Sequence, residues 1–568
     1  MSKHERALSN AKSSNKGLKR IASIAIATGI LLACFYRQGW TSCAQLPPKG
    51  GPGSVIWLPK ELCRAETECG SVIVPKDYFD ESTGTASIAF AVKRATKLPR
   101  KGSVFTNPGG PGASGTVLAS RQIQQLIGDE YDIVGFDPRG INRTSPQVAC
   151  FESMSATNIF TANTVLEKGF TLSTSNISDP SVRAAVRTEL VAQASEFLAV
   201  KQAQADVCAR SMGDDLKYMG TANVVRDMDF MAQVFDGQGA KINYWGGSYG
   251  SIIGSYLANM LPHRVGYVAI DGIVDPVAWT TEPSHPHEPY TAIQSRIESF
   301  FDTLARTPLP VVGSAVNRPG ILTSGAARGL LLLYLEQPVR WAESARAFAG
   351  AMKGNGTLLH NKLTERFSAR AERHPHSDLT RLAVQCLDSP PPSKEYPAPS
   401  AEDLADELLR TMERVSTHFG ASMSIGEPDG GCQFWPTAGR GPERFVGPWN
   451  ASLDVPMLIV SNTMDPITPI QSGLLVNSLM PNSSILIIQD GPGHGSPAVP
   501  TPCIESLVRG YFTGTMPKNG TVCATEYDYF PKQEPNTCAE MGQSTFFAEE
   551  RLQMSLGLGK YCMQRAMS

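Results

Sequence analysis

The chain has 568 residues, of which 42% are hydrophobic and 18% are charged, which is the composition of an ordinary globular protein. This length exceeds what one hydrophobic core usually fills, so we expect either a core domain with a large insertion or two domains. The formal net charge of -2 leaves no basic excess to neutralise phosphates, and a nucleic-acid partner is therefore not expected.

The amino-terminal segment has the layout of a targeting sequence, with a basic stretch at residues 1–20 and an almost wholly apolar stretch at residues 21–36. The apolar stretch is shorter than the roughly 20 residues of a spanning helix but longer than a signal-peptide core needs. Cleavage near residues 42–44 (Ser-Cys-Ala) and retention as a membrane tether therefore both remain open. A bacterial lipoprotein box at residues 31–34 (Leu-Leu-Ala-Cys) is a further alternative.

After a linker rich in proline and glycine at residues 47–54, short apolar runs bounded by turn residues alternate with helix-like stretches. Strands are predicted at residues 87–92, 103–107, 132–137, 242–245, 265–271, 456–461 and 484–489. Helices are predicted at residues 222–235 and 251–260. Strands that alternate with helices predict an α/β fold, a mostly parallel sheet with helices on both faces.

The interval 276–448 interrupts this alternation, because it is rich in helical patterns separated by proline and glycine. Helices are predicted there at residues 290–306, 329–335, 340–352 and 401–418. We interpret this insertion as a large helical cap over the carboxyl edge of the sheet, where open α/β sheets bind ligands. The predicted organisation is a basic segment (1–20), a signal peptide or signal-anchor helix (21–36), a linker and extension (37–75), a first core segment (76–275), the cap (276–448), a second core segment (449–530) and a carboxyl-terminal extension (531–568).

Sequons and cysteines also favour export. Six Asn-X-Ser/Thr sequons predict glycosylation along a eukaryotic secretory route, at Asn142, Asn176, Asn355, Asn450, Asn482 and Asn519. Ten of the twelve cysteines lie beyond the targeting segment, and an even set without metal-type spacing predicts disulfides, with buried free thiols as the alternative. On proximity in the sequence alone, we pair Cys63 with Cys69, Cys150 with Cys208, Cys386 with Cys432, and Cys503 with Cys523.

Residues 246–250 (Gly-Gly-Ser-Tyr-Gly) match the G-x-S-x-G pattern of a nucleophile elbow. The motif lies between a predicted strand and a predicted helix, where a tight turn would lift the hydroxyl of Ser248 clear of the sheet. Such a turn requires small residues on either side of the serine. The pentapeptide alone is a weak pattern, but in this context it indicates a nucleophile rather than a glycine-rich structural turn.

A serine hydroxyl needs a base that is itself oriented by a carboxylate, and in this type of fold the acid and then the histidine follow the serine along the chain. His494 follows the cap and a predicted strand, whereas its rivals His285 and His287 lie in the cap and are interpreted as surface or substrate-lining residues. For the acid we predict Asp465, which follows a buried strand. The alternative is Asp490, which is closer to the histidine in sequence.

Acyl transfer also requires hydrogen-bond donors for the developing oxyanion. Residues 107–112 (Asn-Pro-Gly-Gly-Pro-Gly) follow an early strand, and glycines there let backbone N–H groups approach a substrate closely. We predict that the N–H groups of Gly110 and Tyr249 form the oxyanion hole, with a plain turn as the alternative. The charged residues of the turn 137–140 (Asp-Pro-Arg-Gly) are interpreted as braces between neighbouring loops.

With these motifs the chain resembles the tripeptidyl aminopeptidase and prolyl aminopeptidase branch of the α/β-hydrolases, over about residues 80–530. The resemblance is carried by residues 107–112, 135–140, 246–251, 465–469 and 493–495, and by the cysteine-bearing segments 383–388 and 432–436. It implies an α/β-hydrolase fold and an enzyme that removes short N-terminal peptides or single residues. It also implies cap carboxylates that hold the free amine of the substrate, for which the candidates are Asp388, Glu282 and Glu288.

Three functions remain open at this stage: a serine exopeptidase acting through an acyl-enzyme, an esterase or lactone hydrolase acting on a small metabolite, and a non-catalytic binding protein on a hydrolase scaffold. The intact serine, aspartate and histidine disfavour the third. The expected substrate is a peptide or a small ester, and no metal or organic cofactor is expected. The expected location is secreted, or membrane-anchored by a single span with the catalytic domain extracellular or lumenal. No oligomeric state is predicted.

Overall fold

The computed structural model describes residues 50–172, 177–281, 294–312, 319–364, 377–391, 393, 399–421 and 431–530. The targeting segment 1–36 and the extension 531–568 lie outside these ranges, as do Asn176, Glu282, His285, His287 and Glu288. None of the helices in the described ranges combines the length and the apolar character that crossing a bilayer requires.

The described chain contains twelve strands, and ten of them form one sheet. In chain order they are β1 (Val55–Trp57), β2 (Glu68–Pro75), β3 (Thr85–Lys93), β4 (Gly102–Asn107), β5 (Tyr131–Phe136), β6 (Ile242–Gly247), β7 (Val265–Asp271), β8 (Leu309–Val311), β9 (Gly320–Leu322), β10 (Met457–Met464), β11 (Ser484–Pro492) and β12 (Thr521–Ala524). The strand order across the large sheet is β1-β2-β3-β5-β4-β6-β7-β10-β11-β12, and β8 pairs with β9 separately.

The sheet is antiparallel at one end and parallel through the rest. The pairs β1·β2, β2·β3 and β3·β5 are antiparallel, whereas every pair from β5·β4 to β11·β12 is parallel. All seven predicted strands are present, and several extend by one to three residues beyond the predicted bounds. The predicted fold class, an α/β-hydrolase with a mostly parallel sheet, is confirmed.

Helices cover both faces of this sheet and form the insertions between its strands. In chain order the helices of the described ranges are α1 (Arg121–Ile127), α2 (Met154–Thr161), α3 (Val165–Lys168), α4 (Pro180–Met212), α5 (Thr221–Asp236), α6 (Tyr249–Met260), α7 (Pro276–Thr281), α8 (Gln294–Arg306), α9 (Ser324–Leu335), α10 (Trp341–Met352), α11 (Thr357–Thr364), α12 (Ser377–Asp388), α13 (Ala401–Arg414), α14 (Ile470–Leu479) and α15 (Pro502–Phe512).

The parallel strands are apolar on both faces because each face is covered by helices. Along β4, Val104 packs with the cluster that contains α1 and α15, and the next residue, Phe105, packs with the cluster that contains α5, α6 and α14. In β5, Ile133 packs with the cluster that contains α1 and α15, and Val134 packs with the cluster that contains α5, α6 and α14. This alternation follows from the two-residue period of a strand. Because these strands run parallel, their carboxyl ends lie at one edge of the sheet.

The longest helix of the described ranges, α4, was not predicted from the sequence. Asp179 caps its amino terminus by accepting a hydrogen bond from the Ser181 backbone at 2.8 Å, and Pro180 occupies its first turn. Its buried stripe has helical spacing but includes small and polar residues such as Lys201, so its hydropathy pattern is weak. It packs against α13, with Leu409 in the shared cluster, and thus adds a second helical insertion, between β5 and β6.

The four disulfides predicted within the described ranges are all formed: Cys63–Cys69, Cys150–Cys208, Cys386–Cys432 and Cys503–Cys523. Cys150–Cys208 and Cys386–Cys432 lie in one buried cluster that joins α4 to α12. Each of these two disulfides closes a loop within its own insertion, and the shared cluster packs the two insertions against each other. Cys538 and Cys562 lie outside the described ranges.

Candidate active site

Ser248 lies in the turn between β6 and α6, at the carboxyl edge of the sheet. Its backbone has φ +55° and ψ −124°, a conformation that residues other than glycine rarely adopt and that functional sites often contain. The flanking glycines are required by space, because a Cβ on Gly246 would lie 2.7 Å from the Gly250 carbonyl oxygen and a Cβ on Gly250 would lie 2.7 Å from the Asn107 carbonyl oxygen. The turn therefore has the geometry that the motif predicts for a nucleophile.

Asp465 and His494 are brought together from two neighbouring loops. The histidine Nδ1 lies 3.1 Å from each carboxylate oxygen of Asp465. The same carboxylate accepts hydrogen bonds from the backbone N–H groups of Ile467, Thr468 and Gly495 at 2.8–2.9 Å. Burial alone would raise the pKa of Asp465, but the charge and hydrogen bond of His494, together with the Thr468 hydrogen bonds, hold that pKa below its ordinary value. Asp465 is therefore a carboxylate that can orient the imidazole.

The nucleophile turn and the histidine loop meet at Asp271, the last residue of β7. The Ser248 backbone N–H donates to the Asp271 carbonyl oxygen at 2.9 Å, and the Ser496 backbone N–H donates to the Asp271 carboxylate at 2.8 Å. Sequence reasoning missed Asp271. The signal for it was its position at the end of a buried strand, at the same edge as the other site residues.

The glycine loop after β4 lies directly against the nucleophile turn. Gly109 has φ +106°, and a Cβ there would lie 2.6 Å from the Gly247 carbonyl oxygen and 2.7 Å from the Ser248 Cβ. Its N–H donates to the Asn107 side chain at 2.9 Å. Among the described residues, the backbone N–H groups of Gly110 and Tyr249 make none of the loop or turn hydrogen bonds to backbone oxygens, which is a condition that the predicted oxyanion hole requires.

Cap elements contact both sides of this site. The His494 backbone N–H donates to the Glu336 carbonyl oxygen at 2.9 Å, just after α9. From α12, the Arg381 guanidinium donates to the Gly110 carbonyl oxygen at 3.2 Å. The Trp279 ring of α7 packs against the ring of Tyr249, with 5.7 Å between the ring centroids. The insertion therefore lies over the carboxyl edge of the sheet and touches each loop of the candidate site.

Asp388 is the one candidate amine-binding residue that the structure describes, and it is buried behind the nucleophile turn. Its carboxylate accepts hydrogen bonds from the Thr221 backbone N–H at 3.0 Å, from the Thr221 hydroxyl, and from Trp279 Nε1 at 2.9 Å. The Thr221 hydroxyl also lies 2.8 Å from the Tyr249 hydroxyl. Burial raises the pKa of Asp388 to about 6 against these hydrogen bonds. This placement favours a role in holding the turn rather than contact with a substrate amine.

The turn 137–140 braces two loops. The buried Asp137 carboxylate accepts hydrogen bonds from the Ser114 hydroxyl and from the Asn142 side-chain amide, the latter at 2.9 Å. Arg139 is fully buried and pairs with Asp227 at 2.8 Å. Asp137 therefore anchors Ser114, which lies two residues beyond the glycine loop 107–112.

The predicted glycosylation sites differ in their surroundings. Asn142 directs its amide nitrogen into the structure, and the hydroxyl of Thr144, the third residue of its sequon, is buried and hydrogen-bonded to the Asp137 carbonyl oxygen. A glycan on Asn142 would displace these contacts. Four other sequon asparagines are exposed: Asn355, Asn450, Asn482 and Asn519.

Asp490, the alternative acid, is exposed, and its carboxylate accepts a hydrogen bond from the Thr463 hydroxyl at 2.9 Å. Among the described residues there is no cluster of three or more His, Cys, Asp or Glu side chains that could hold a metal ion. At the sheet edge the structure pairs His494 with Asp465, and it links the Ser248 turn to the histidine loop through Asp271.

Comparison with known proteins finds that the chain is similar to proteins named as proteases, peptidases and esterases. Residues 416–523 match the family described as TAP-like protein. The chain is 26% identical over 545 residues to the serine protease Hip1 of Mycobacterium tuberculosis, which covers 88% of this chain and 96% of that protein. It is 26% identical over 523 residues to carboxylesterase B of the same organism, with coverages of 86% and 90%. It is 24% identical over 502 residues to the tripeptidyl aminopeptidase of Streptomyces lividans, with coverages of 82% and 84%.

Among solved structures, a hydrolase from Pseudomonas aeruginosa PA01 aligns with 78% of this chain and 98% of its own, at 12% identity and a TM-score of 0.31. The resemblance predicted from the motifs is confirmed by the similarity to the TAP-like family and to the tripeptidyl aminopeptidase. The prediction that the chain is an enzyme of the serine hydrolase class is confirmed as well.

Proposed function

We propose that this chain is a serine exopeptidase that releases short N-terminal peptides or single residues through an acyl-enzyme, with Ser248, His494 and Asp465 as its catalytic residues. The observation that carries the proposal is the pairing of His494 Nδ1 with both oxygens of Asp465, at the sheet edge that also bears the strained Ser248 turn. The names of two similar proteins, a serine protease and a tripeptidyl aminopeptidase, support a peptide substrate.

The geometry supports a two-step reaction. Because Asp465 accepts a hydrogen bond from His494 Nδ1, the Nε2 atom is left as the base that takes the proton of Ser248 as its hydroxyl oxygen attacks the substrate carbonyl carbon. The N–H groups of Gly110 and Tyr249 would bind the resulting oxyanion. His494 then returns the proton to the leaving amine, and a water molecule repeats the sequence to release the acyl group.

Removal of residues from the amino terminus requires a group that binds the substrate ammonium. We propose the cap carboxylates Glu282 and Glu288 for this role, on the family resemblance alone. Asp388 is less suitable, since its carboxylate oxygens accept hydrogen bonds from Thr221 and Trp279. We also propose that the chain acts in an oxidising, exported location, which the four disulfides of the described ranges support.

The second candidate function is an esterase, which the similarity to carboxylesterase B favours. Both functions use the same acyl-enzyme chemistry, so they differ only in the leaving group and in what the cap admits. An exopeptidase must recognise a free ammonium group, whereas an esterase acting on a small metabolite need not.

The test is a panel of aminoacyl-, dipeptidyl- and tripeptidyl-anilides, each with a free or an acetylated amino terminus, measured beside short-chain esters. The proposal predicts anilide turnover that is lost on acetylation and lost in Ser248→Ala. Ester cleavage without turnover of any anilide would contradict the proposed exopeptidase activity and would favour the esterase activity.

Labelling with a fluorophosphonate probe tests the nucleophile without reference to a substrate. We expect labelling of the wild-type protein and none of Ser248→Ala. The matched control is Ser251→Ala, one turn further along α6, where the hydroxyl only accepts a hydrogen bond from the Val274 backbone at 3.0 Å. Equal labelling of Ser248→Ala and the wild type would remove the proposed nucleophile and revive a non-catalytic role.

A further inference from the structure

Asp271 contacts the two loops whose relative position decides whether the proposed triad can work. Its carbonyl oxygen accepts the Ser248 backbone N–H at 2.9 Å. Its carboxylate accepts the Ser496 backbone N–H at 2.8 Å and also the Ser496 hydroxyl. The residue is 2% exposed. A single buried aspartate therefore joins the turn of the nucleophile to the loop of the base.

Two carboxylates hold consecutive residues of the histidine loop. Asp465 accepts the Gly495 backbone N–H at 2.8 Å, and Asp271 accepts the N–H of the next residue, Ser496. Gly495 has φ +68°, and a Cβ there would lie 3.3 Å from the Asp271 carboxylate, so the loop passes directly over this group. Because both amides directly follow His494, these bonds limit how far the imidazole can move from Ser248.

We propose that Asp271 is a second acidic positioning residue of the active site, whose ionised carboxylate holds the histidine loop against the nucleophile turn and favours the imidazolium form of His494. The inference rests on the proposed triad and deepens it. The negative charge stabilises the transition state, because the imidazole gains a proton and becomes positive as Ser248 attacks the substrate.

The charges around Asp271 are consistent with this role. Burial is the main cause that raises the pKa of Asp271 to about 6, and the nearby charge of Asp465 raises it further. The Ser496 hydrogen bonds and the charge of His494 act in the opposite direction. Glu505 lines the same small cavity as Asp271 and Ser496. Since His494 favours the ionised form of Asp271, the ionised form of Asp271 must favour charged His494 to the same extent.

Asp271→Asn removes the charge with little change of shape. The amide oxygen can still accept the Ser496 backbone N–H, and the amide nitrogen can donate to the Ser496 hydroxyl. The matched control is Asp490→Asn, which removes an exposed carboxylate that bonds to Thr463 two residues before Asp465. A second variant, Ser496→Ala, removes the hydroxyl hydrogen bond and keeps the charge.

The experiment measures the second-order rate of fluorophosphonate labelling of Ser248 from about pH 5 to about pH 9, with thermal unfolding of each variant as the check on folding. For Asp271→Asn we expect labelling at neutral pH to slow about tenfold and the acid limb of the profile to move about one pH unit lower. Asp490→Asn and Ser496→Ala should leave the acid limb in place.

An unchanged rate and an unchanged acid limb in Asp271→Asn would overturn the inference while the proposed triad survives. A slower rate with an unmoved acid limb, matched by Ser496→Ala, would also overturn it, since Asp271 would then act only as a structural anchor. Absence of labelling in the wild-type protein would overturn the proposed nucleophile, and the inference with it.

Discussion

A methyl group at Gly109 tests the glycine loop more directly than any change at the proposed oxyanion donors. Gly109→Ala places a Cβ 2.6 Å from the Gly247 carbonyl oxygen, 2.7 Å from the Ser248 Cβ and 2.9 Å from the Tyr249 nitrogen. None of these contacts is sterically allowed, and two involve backbone atoms. The loop must therefore move away from the nucleophile turn, and the adjacent N–H of Gly110 must move with it.

The magnitude follows from what this movement removes. Loss of one oxyanion donor costs about 10²- to 10³-fold in kcat, or about 2.7–4 kcal/mol. The positive φ of Gly109 adds a stability cost of about 1–3 kcal/mol, because alanine tolerates that conformation poorly. We therefore expect a large loss of kcat beside a moderate loss of stability, with KM little changed.

Gly237→Ala separates the two effects, because Gly237 has φ +94° but a Cβ there would meet nothing within 4 Å. In thermal unfolding Gly237→Ala should lose only the stability that its positive φ costs, and Gly109→Ala should lose more because of its close contacts. Only Gly109→Ala should lose kcat on the best substrate of the panel. Wild-type kcat in a folded Gly109→Ala protein would refute the assignment of this loop to the oxyanion hole. An equal loss of kcat in Gly237→Ala would refute the steric argument.

Three further predictions concern buried polar groups. In Asp388→Asn the new amide N–H must face a donor, either Trp279 Nε1 or a Thr221 group. The free energy of unfolding should therefore fall by about 1–3 kcal/mol in denaturant titrations. Unchanged stability would contradict the hydrogen bonds of Asp388. Asn142 should carry no glycan when the chain is expressed in a eukaryotic secretory system, and an occupied site in peptide mass spectra would contradict its hydrogen bonds. Burial raises the pKa of Asp271 from about 4 in the unfolded chain to about 6 in the folded protein, so the native state binds a proton more tightly. The free energy of unfolding should therefore fall by about 3 kcal/mol as pH rises from about 4 to about 6. Asp271→Asn should lose this pH dependence, and an identical slope in the variant would refute it.

The residues of the proposed triad could be predicted because each follows a strand whose apolar run is plain in the sequence. Ser248 has a five-residue motif around it, and Asp465 and His494 then follow in the order that the fold requires. The strand ends settle which residues share an edge. Asp271 ends a predicted strand too, but its role in the site depends on which atoms of two distant loops reach it, and no local pattern encodes that.

The second helical insertion was missed for a different reason. Helix α4 contains 33 residues, and its buried stripe runs through Ala194, Lys201 and Gln204. Ala194 packs in the cluster shared with α13, and Lys201 lies beside Gly431. Because the buried stripe mixes apolar residues with small and long polar ones, its hydropathy gives only a weak helical period. The disulfide Cys150–Cys208, predicted from proximity alone, was the only hint that this region is compact.

The buried carboxylates around Ser248 divide into two kinds, and the division has a functional consequence. Asp271, Asp388 and Asp137 each hold a loop of the site, and burial raises the pKa of each. Only Asp465, which pairs with His494, has a lowered pKa. Ionisation of the three loop-holding groups as pH rises therefore opposes folding, while the imidazole must be neutral to act as a base. Protonation of these carboxylates at low pH therefore stabilises the fold, but protonation of the imidazole at low pH blocks the proposed chemistry. The disulfides and the packed insertions must compensate for the stability that the deprotonated, active site loses.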